Sequence, residues 1–169
     1  MSKQSNECAR FSSVIPFDDA PLEVVYEIPF ALWCELDDAC RNNTGEVGGM
    51  LVGEQASDGH ARLTALADFP AGTSLANDEI ELPTDWKSME RPDGFQGTWH
   101  THPSPNPASV HDFNHLLYMI REDFWPLMIV LSKGPRVTTP SVYIGISTPD
   151  TPLLFELAFC GIHAAEEKL

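Results

Sequence analysis

Two histidines separated by one residue, His100 and His102, precede a proline-rich turn at 103–108 and the acidic residue Asp112. On a β-strand, residues i and i+2 project from the same face, so both imidazoles can bind one metal ion. The turn reverses the chain, which lets an aspartate in the first turn of a following helix return to the same point. Two imidazoles and one carboxylate leave a fourth tetrahedral position for water, as in catalytic zinc sites.

A further candidate is Glu46, at the head of the apolar segment EVGGMLVGE, residues 46–54. Amide hydrolysis by zinc-activated water needs a base that takes the water proton and an acid that returns it to the leaving amine, and one carboxylate can do both. The neighbouring Gly48 and Gly49 permit close approach of another strand or of a substrate backbone. The residues themselves leave the distance between Glu46 and the histidines open.

The segment around Asp112 has two other interpretations. Ser109-Val110-His111-Asp112 is an S-x-x-D capping box that could simply begin a helix, although this role is compatible with metal binding. His111 and His115 stand at i and i+4, as in the HExxH helix of other zinc proteases. That interpretation is disfavoured, because Asp112 stands where the motif needs Glu and no GxxH follows. His115 is instead predicted to lie on a polar face or behind the ligands.

The elements that must position these residues follow from hydrophobic periodicity. Strands are predicted at 22–28, 46–54, 61–69, 94–102, 126–132, 141–147 and 153–159, and helices at 30–42 and 109–122. A short helix or strand at 78–82 and a helix near 85–89 are also possible. Interleaved strands and helices predict an α/β or α+β domain. Trp99, beside His100, is expected to point to the opposite face and pack in the core.

Length and charge restrict the class of protein. The chain has 169 residues, 43% of them hydrophobic, which predicts one globular domain over 21–169 after a polar, irregular tail at 1–20. Its formal net charge of −15 leaves no cationic stripe for nucleic acid and disfavours an anionic membrane surface. The first residues lack the apolar region of a secretory signal, so we expect a cytoplasmic protein. No disulfide framework or thiolate zinc site is expected from the dispersed cysteines Cys8, Cys34, Cys40 and Cys160.

The ordered set Glu46, His100-Thr101-His102-Pro103, Ser109 and Asp112 resembles the JAMM metalloproteases, also called MPN+ or JAB domains. The resemblance extends over 22–160 and is specific, because five separated polar positions match in order. It implies an α/β fold, a curved mixed β-sheet flanked by helices with a cytidine-deaminase-like architecture. The turn between His102 and Ser109 is one residue shorter than in the eukaryotic pattern, which affects the expected turn geometry more than the ligand set.

The resemblance also implies roles for individual residues. His100, His102 and Asp112 would hold Zn²⁺, Glu46 would be the general acid and base, and Ser109 would stabilise the tetrahedral intermediate. The implied activity is that of a zinc isopeptidase. MPN domains that lack the motif are non-catalytic scaffolds, an alternative that the complete ligand set disfavours.

The short region at 69–94 lacks the long insertions with which eukaryotic members grip a distal ubiquitin. The chain therefore resembles compact bacterial members, among them deubiquitinase-like proteases of anti-phage ubiquitination-like operons. The implied substrate is the C-terminal tail of a ubiquitin-like protein, docked by strand addition, with E1-like or E2-like proteins as operon partners. A sulfur-carrier protein or a small peptide adduct is the alternative substrate.

Overall fold

A computed structural model describes residues 6–17, 19–57, 59–76 and 79–165. The strands are β1 (Glu7–Phe17), β2 (Ala20–Pro29), β3 (Gly48–Ser57), β4 (His60–Ala67), β5 (Ser74–Ala76), β6 (Glu79–Glu81), β7 (Phe95–His102), β8 (Leu127–Lys133), β9 (Thr138–Ile146) and β10 (Leu153–Ala164). The helices are α1 (Phe30–Asn42) and α2 (Val110–Met119), and a 3₁₀ turn spans Trp86–Ser88. Within the described ranges, every helix is too short or too polar to cross a membrane.

Eight strands form one closed sheet in the order β1-β10-β9-β8-β7-β3-β4-β2, while β5 and β6 form a separate two-stranded sheet. Neighbours in the closed sheet are antiparallel except β2 with β4 and β7 with β8. Helix α2 connects the parallel pair β7 and β8, as parallel neighbours require a crossover connection. This crossover brings the start of α2 back to the end of β7.

The predicted α/β fold, a curved mixed sheet flanked by helices, is wrong. The sheet closes into a barrel, and the described part of the chain contains only two α-helices. Closure comes from residues 7–17, which were predicted to belong to an irregular tail but form β1 and pair with both β2 and β10. Ala9, Phe11 and Ile15 stand at odd-numbered positions and join the inner core, a period-2 pattern that Ser13 and the exposed Val14 interrupt.

The two helices pack on opposite faces of the sheet. Leu36 and Cys40 of α1 join an inner core to which all eight strands of the barrel contribute. Leu116 and Met119 of α2 pack on an outer cluster with side chains of β3 and β8. Strand β8 is therefore buried on both faces, which explains its uninterrupted apolar sequence. The adjacent strand β7 likewise presents one face to the inner core and the other to α2.

Candidate metal centre

Alternate side chains of strand β7 point to opposite faces of the sheet, one of which faces the inner core. Trp99 is buried in the inner core, as the sequence predicted. Thr101 accepts a hydrogen bond at Oγ1 from the amide of Val47, at 3.1 Å, and joins β7 to the segment before β3. His100 and His102 therefore project from the other face, toward α2.

The two histidines and Asp112 converge at one point. His100 Nε2 lies 3.2 Å from His102 Nε2 and 2.9 Å from Asp112 Oδ1. His102 Nε2 lies 3.4 Å from Asp112 Oδ2. The turn at 103–108 therefore returns Asp112 to the histidine pair.

The start of α2 fixes the carboxylate of Asp112. The Asp112 amide donates to Ser109 Oγ at 3.2 Å, and the Ser109 amide donates to Asp112 Oδ2 at 2.6 Å, which completes a capping box. The Ser109 hydroxyl also donates to Asp112 Oδ2, at 2.8 Å. The cap and the metal-ligand geometry are thus built from the same two residues, and Oδ1 is the oxygen nearest to His100.

A backbone carbonyl group orients the imidazole of His102 through its Nδ1 atom. Its Nδ1 lies 2.9 Å from the carbonyl oxygen of Asn106, which also accepts a hydrogen bond from Ser132 Oγ at 2.6 Å. Because a carbonyl only accepts, Nδ1 carries a hydrogen, so Nε2, which faces Asp112, is the nitrogen available to bind a metal once it is deprotonated. Neither Asn106 nor Ser132 was predicted from the sequence to contribute to the site. The available signal was Ser132, a polar residue ending the apolar β8 run and paired with His102 in the parallel register.

Glu46 lies immediately before β3, with Oε1 3.8 Å from His102 Nε2. Its other oxygen, Oε2, accepts a hydrogen bond from the backbone amide of Ile80 in β6, at 3.2 Å. Gly48 is required for this approach, because a Cβ there would lie 2.4 Å from the Trp99 carbonyl oxygen and 2.9 Å from His100 Cβ. The structure therefore brings Glu46 to the histidines through the pairing of β3 with β7.

His102 and Asp112 shift each other's pKa in opposite directions. Hydrogen bonding to Asp112 raises the pKa of His102 to about 9, against the effect of burial and with support from the Asn106 carbonyl and the charge of Glu46. Burial raises the pKa of Asp112, but hydrogen bonds from His100 and His102 outweigh it and hold that pKa far below its usual range. The carboxylate is therefore ionised and attracts a positive charge, which a proton or a metal cation can provide.

The donor atoms fit a metal ion. Ligands at 2.0–2.1 Å from a tetrahedral zinc lie about 3.3 Å from one another, which matches the observed separations of 2.9, 3.2 and 3.4 Å. Among the described residues, His100, His102 and Asp112 are the one group of three or more metal-ligating side chains whose donor atoms lie within 4.8 Å. His111 is exposed and outside this group, so the alternative HExxH-like pair is not assembled.

A cleft of about 700 Å³ opens beside the cluster. Glu46, His100 and Asp112 lie on its wall, together with β6 and the exposed side of α2. Glu79 and Glu81 of β6 are exposed in this region. The candidate metal centre therefore lies on the wall of an open cleft.

Comparison with known proteins identifies a relative that is named as a metalloprotease. The chain is 29% identical over 136 residues to a Sinorhizobium fredii (strain NBRC 101917 / NGR234) protein named "Probable metalloprotease y4qB", an alignment that covers 72% of this chain and 82% of that protein. No protein-family model matches the sequence. The distant relative and the His100–His102–Asp112 cluster together support a metalloprotease.

Proposed function

We propose that this protein is a zinc-dependent protease of the JAMM type that hydrolyses the bond after the C-terminal tail of a ubiquitin-like protein. The observation that carries the proposal is the convergence of three ligand side chains with Glu46 Oε1, 3.8 Å from His102 Nε2. The distant relative supports protease chemistry, and the motif resemblance supports the ubiquitin-like substrate.

In this proposal the ligands are His100, His102 and Asp112, and zinc held by them supplies Lewis-acid activation of water and of the scissile carbonyl. Glu46 accepts the water proton at Oε1 and passes it to the leaving amine nitrogen. The amide of Ile80 holds Oε2, so the free oxygen keeps its orientation toward the histidines. The Asn106 carbonyl holds His102 in the tautomer whose Nε2 can bind a metal.

Ser109 has two roles in the proposal. At rest its hydroxyl donates to Asp112 Oδ2 and fixes the ligand carboxylate. During the reaction the same hydroxyl turns toward the developing oxyanion, which a preorganised donor stabilises. The amide of Ser109 keeps its hydrogen bond to Asp112, so the carboxylate stays in place while the hydroxyl rotates.

Charge supports a substrate with a basic face. The chain carries 25 acidic and 10 basic residues, and the exposed Glu79 and Glu81 border the cleft. Attraction between exposed charges is screened by salt. The Michaelis constant for a ubiquitin-like substrate should therefore rise with ionic strength, whereas a constant value would assign the excess charge to solubility alone.

The test is cleavage of ubiquitin-like fusions and isopeptide-linked conjugates by the zinc-loaded protein. We expect cleavage that a chelator abolishes and added zinc restores. Glu46→Gln should keep stoichiometric zinc and lose about 10²–10⁴ in kcat, the usual contribution of a general acid–base residue. Glu35→Gln, on the exposed side of α1, is the matched control and should retain activity.

Two results would contradict the proposal. One is the failure of the purified protein to bind zinc at His100, His102 and Asp112. The other is cleavage of short peptides or sulfur-carrier adducts with no action on any ubiquitin-like fusion, which would keep the protease and replace its substrate.

A further inference from the structure

A second cavity, of about 500 Å³, opens at the end of the barrel opposite the candidate metal centre. Strand β7 connects the two places, because Phe95 and Gln96 at its start line the cavity and His102 at its end belongs to the metal centre. At about 3.3 Å per residue, Gln96 and His102 are about 20 Å apart along the strand. Among the described residues, the cavity shares no lining residue with the cleft beside the metal centre.

The two ends of the barrel are closed differently. Helix α1 packs at the end where β8 finishes, since Leu36 joins the inner core and Cys40 Sγ donates to the Leu131 carbonyl oxygen at 3.4 Å. The cavity lies at the end where β8 begins, since Trp125 lines it. Within the described ranges, neither α-helix contributes a lining residue there. Such open mouths of β-barrels are common sites for small molecules.

The walls of this cavity are apolar and buried. Val24 and Tyr26 of β2, Ala61 of β4 and Ile144 of β9 line it, belong to the inner core and are at most 6% exposed. Burial raises the pKa of Tyr26, so its side chain stays uncharged. Small-molecule sites typically enclose about 300–1,000 Å³ and are lined mainly by hydrophobic and aromatic side chains. The walls therefore suit the apolar body of a ligand of ordinary metabolite size.

A tight turn places two carboxylates at the mouth of the cavity. The Arg121 amide donates to the Phe124 carbonyl oxygen at 3.1 Å, and the Phe124 amide donates to the Arg121 carbonyl oxygen at 3.2 Å. Between them, Glu122 and Asp123 are exposed and line the cavity. The Phe124 ring stacks on Phe95, with centroids 5.5 Å apart and an interplanar angle of 28°. These contacts hold the turn in place before any ligand binds.

The charge of the lining has one sign. Glu122 and Asp123 are acidic, and none of the described lining residues is basic. Arg121 begins the turn without lining the cavity, and the guanidinium of Arg91, 4.7 Å from the Phe95 ring centroid, is likewise not a lining group. Two carboxylates attract an ammonium group and repel a carboxylate. Aromatic walls add to this preference, because their rings attract cations.

We propose that the open end of the barrel is a binding site for a small organic cation. Its apolar or aromatic body packs among Val24, Tyr26 and Trp125, and its ammonium group stays at the mouth beside Glu122 and Asp123. This proposal does not depend on the protease function, because the site shares no side chain with the metal centre.

Three probes that share one carbon skeleton test the charge preference: 4-phenylbutylamine, 4-phenylbutanol and 4-phenylbutyrate. The purified protein, with ¹⁵N-labelled tryptophan, is titrated with each, and the indole signal of Trp125 is assigned by its loss in Trp125→Phe. We expect the amine to shift this signal, the alcohol to need about tenfold more ligand, and the butyrate to leave it unmoved. Equal effects of the three probes, or no shift of the Trp125 signal, would overturn the site.

The signal of Trp86 reports on the other cavity, because Trp86 lines the cleft beside the metal centre. It is assigned by its loss in Trp86→Phe and should not move with the amine. A shift of the Trp86 signal in place of the Trp125 signal would assign the amine to the metal cleft and overturn the proposal.

Neutralising the turn tests the role of its two carboxylates. The double variant Glu122→Gln, Asp123→Asn should weaken amine binding about tenfold, since each exposed ion pair contributes up to about 1 kcal/mol, and should leave alcohol binding unchanged. The matched control is Glu35→Gln with Asp38→Asn, which removes the same charge from the exposed side of α1. Equal weakening in both double variants would assign the attraction to net charge and overturn the site.

A lysine side chain of another protein also carries an ammonium group on an apolar stem, and a further probe separates this source from a small molecule. N-acetyl-lysine amide lacks the aromatic body that the walls are expected to bury. It should bind more weakly than 4-phenylbutylamine, and tighter binding of the lysine probe would overturn the small-molecule ligand.

Discussion

Two clusters of charged and titratable side chains lie, largely buried, on the outer face of the same barrel. They differ in how their charges are compensated. In the arginine cluster, Glu27 lies between Arg10 and Arg62 in one row across β1, β2 and β4. Its Oε1 is 2.9 Å from Arg10 Nη2, and its Oε2 is 2.7 Å from Arg62 Nη2. In the histidine cluster, Asp112 faces two imidazoles that also face each other.

The difference lies in where the positive charge comes from. The arginine cluster contains permanent cations whose donors occupy both oxygens of Glu27, so the negative charge of the carboxylate is compensated within the chain. The histidine cluster offers two Nε2 atoms 3.2 Å apart beside an ionised carboxylate, and its cation must be taken from solution. The first arrangement stabilises the barrel, and the second is suited to hold a metal ion.

The largest expected effect is on the histidine cluster. His102→Ala removes one of three protein ligands, so we expect loss of stoichiometric zinc binding and of cleavage activity. The barrel should remain folded, because His102 lies on the face opposite the inner core. Zinc content and circular dichroism of the purified variant check both points. A variant that kept one zinc per chain would contradict the assignment of His102.

The second-largest expected effect is a loss of stability in the arginine cluster that leaves the histidine cluster unchanged. Glu27→Ala leaves two arginines without their shared carboxylate, which should lower the free energy of unfolding by about 3 kcal/mol. This is the lower end of the usual range, because each arginine side chain is about a quarter exposed and can regain water. Urea denaturation measures the loss. Zinc affinity should be unchanged, and a large fall in it would show that the clusters are coupled.

A smaller effect is expected behind His102. Ser132→Ala removes the hydroxyl that donates to the Asn106 carbonyl, which orients the imidazole. Such partners typically contribute 10–100-fold to metal affinity, and we expect about tenfold here because the Asn106 bond itself remains. Competition with a zinc chelator measures it. Ser141→Ala, another buried serine in the neighbouring strand β9, is the control and should bind zinc normally.

The smallest expected effect is the loss, at acidic pH, of the stability that Glu27 contributes. Burial raises the pKa of this carboxyl, but hydrogen bonds from Arg62 and Arg10 outweigh it, and the net pKa is lowered. A lowered pKa contributes stability that is present above the unfolded value of about 4.5 and is lost as the pH falls below it. The stability difference between wild type and Glu27→Gln should therefore be constant near neutrality and shrink in acid. A difference that did not change with pH would contradict this.

The histidine cluster could be predicted from the sequence and the arginine cluster could not, for a physical reason. His100, His102, Ser109 and Asp112 lie within 13 consecutive positions, so strand alternation and a helix start predict their convergence. Arg10, Glu27 and Arg62 have no recognisable spacing, because they meet only through the register of three strands. The positions of Asn106 and Ser132 behind His102 likewise depend on the parallel pairing of β7 with β8.

The sequence by itself determined the local features: the approximate positions of most strands and of both helices, the inward direction of Trp99, and the capping box of Ser109 and Asp112. These follow from periodicity and capping, which act over a few residues. Only the tertiary structure decided that the sheet closes through β1, that Glu46 reaches the histidines and that Glu27 is enclosed by arginines. Strand order and register join residues far apart in the chain, and local patterns do not encode which strands become neighbours.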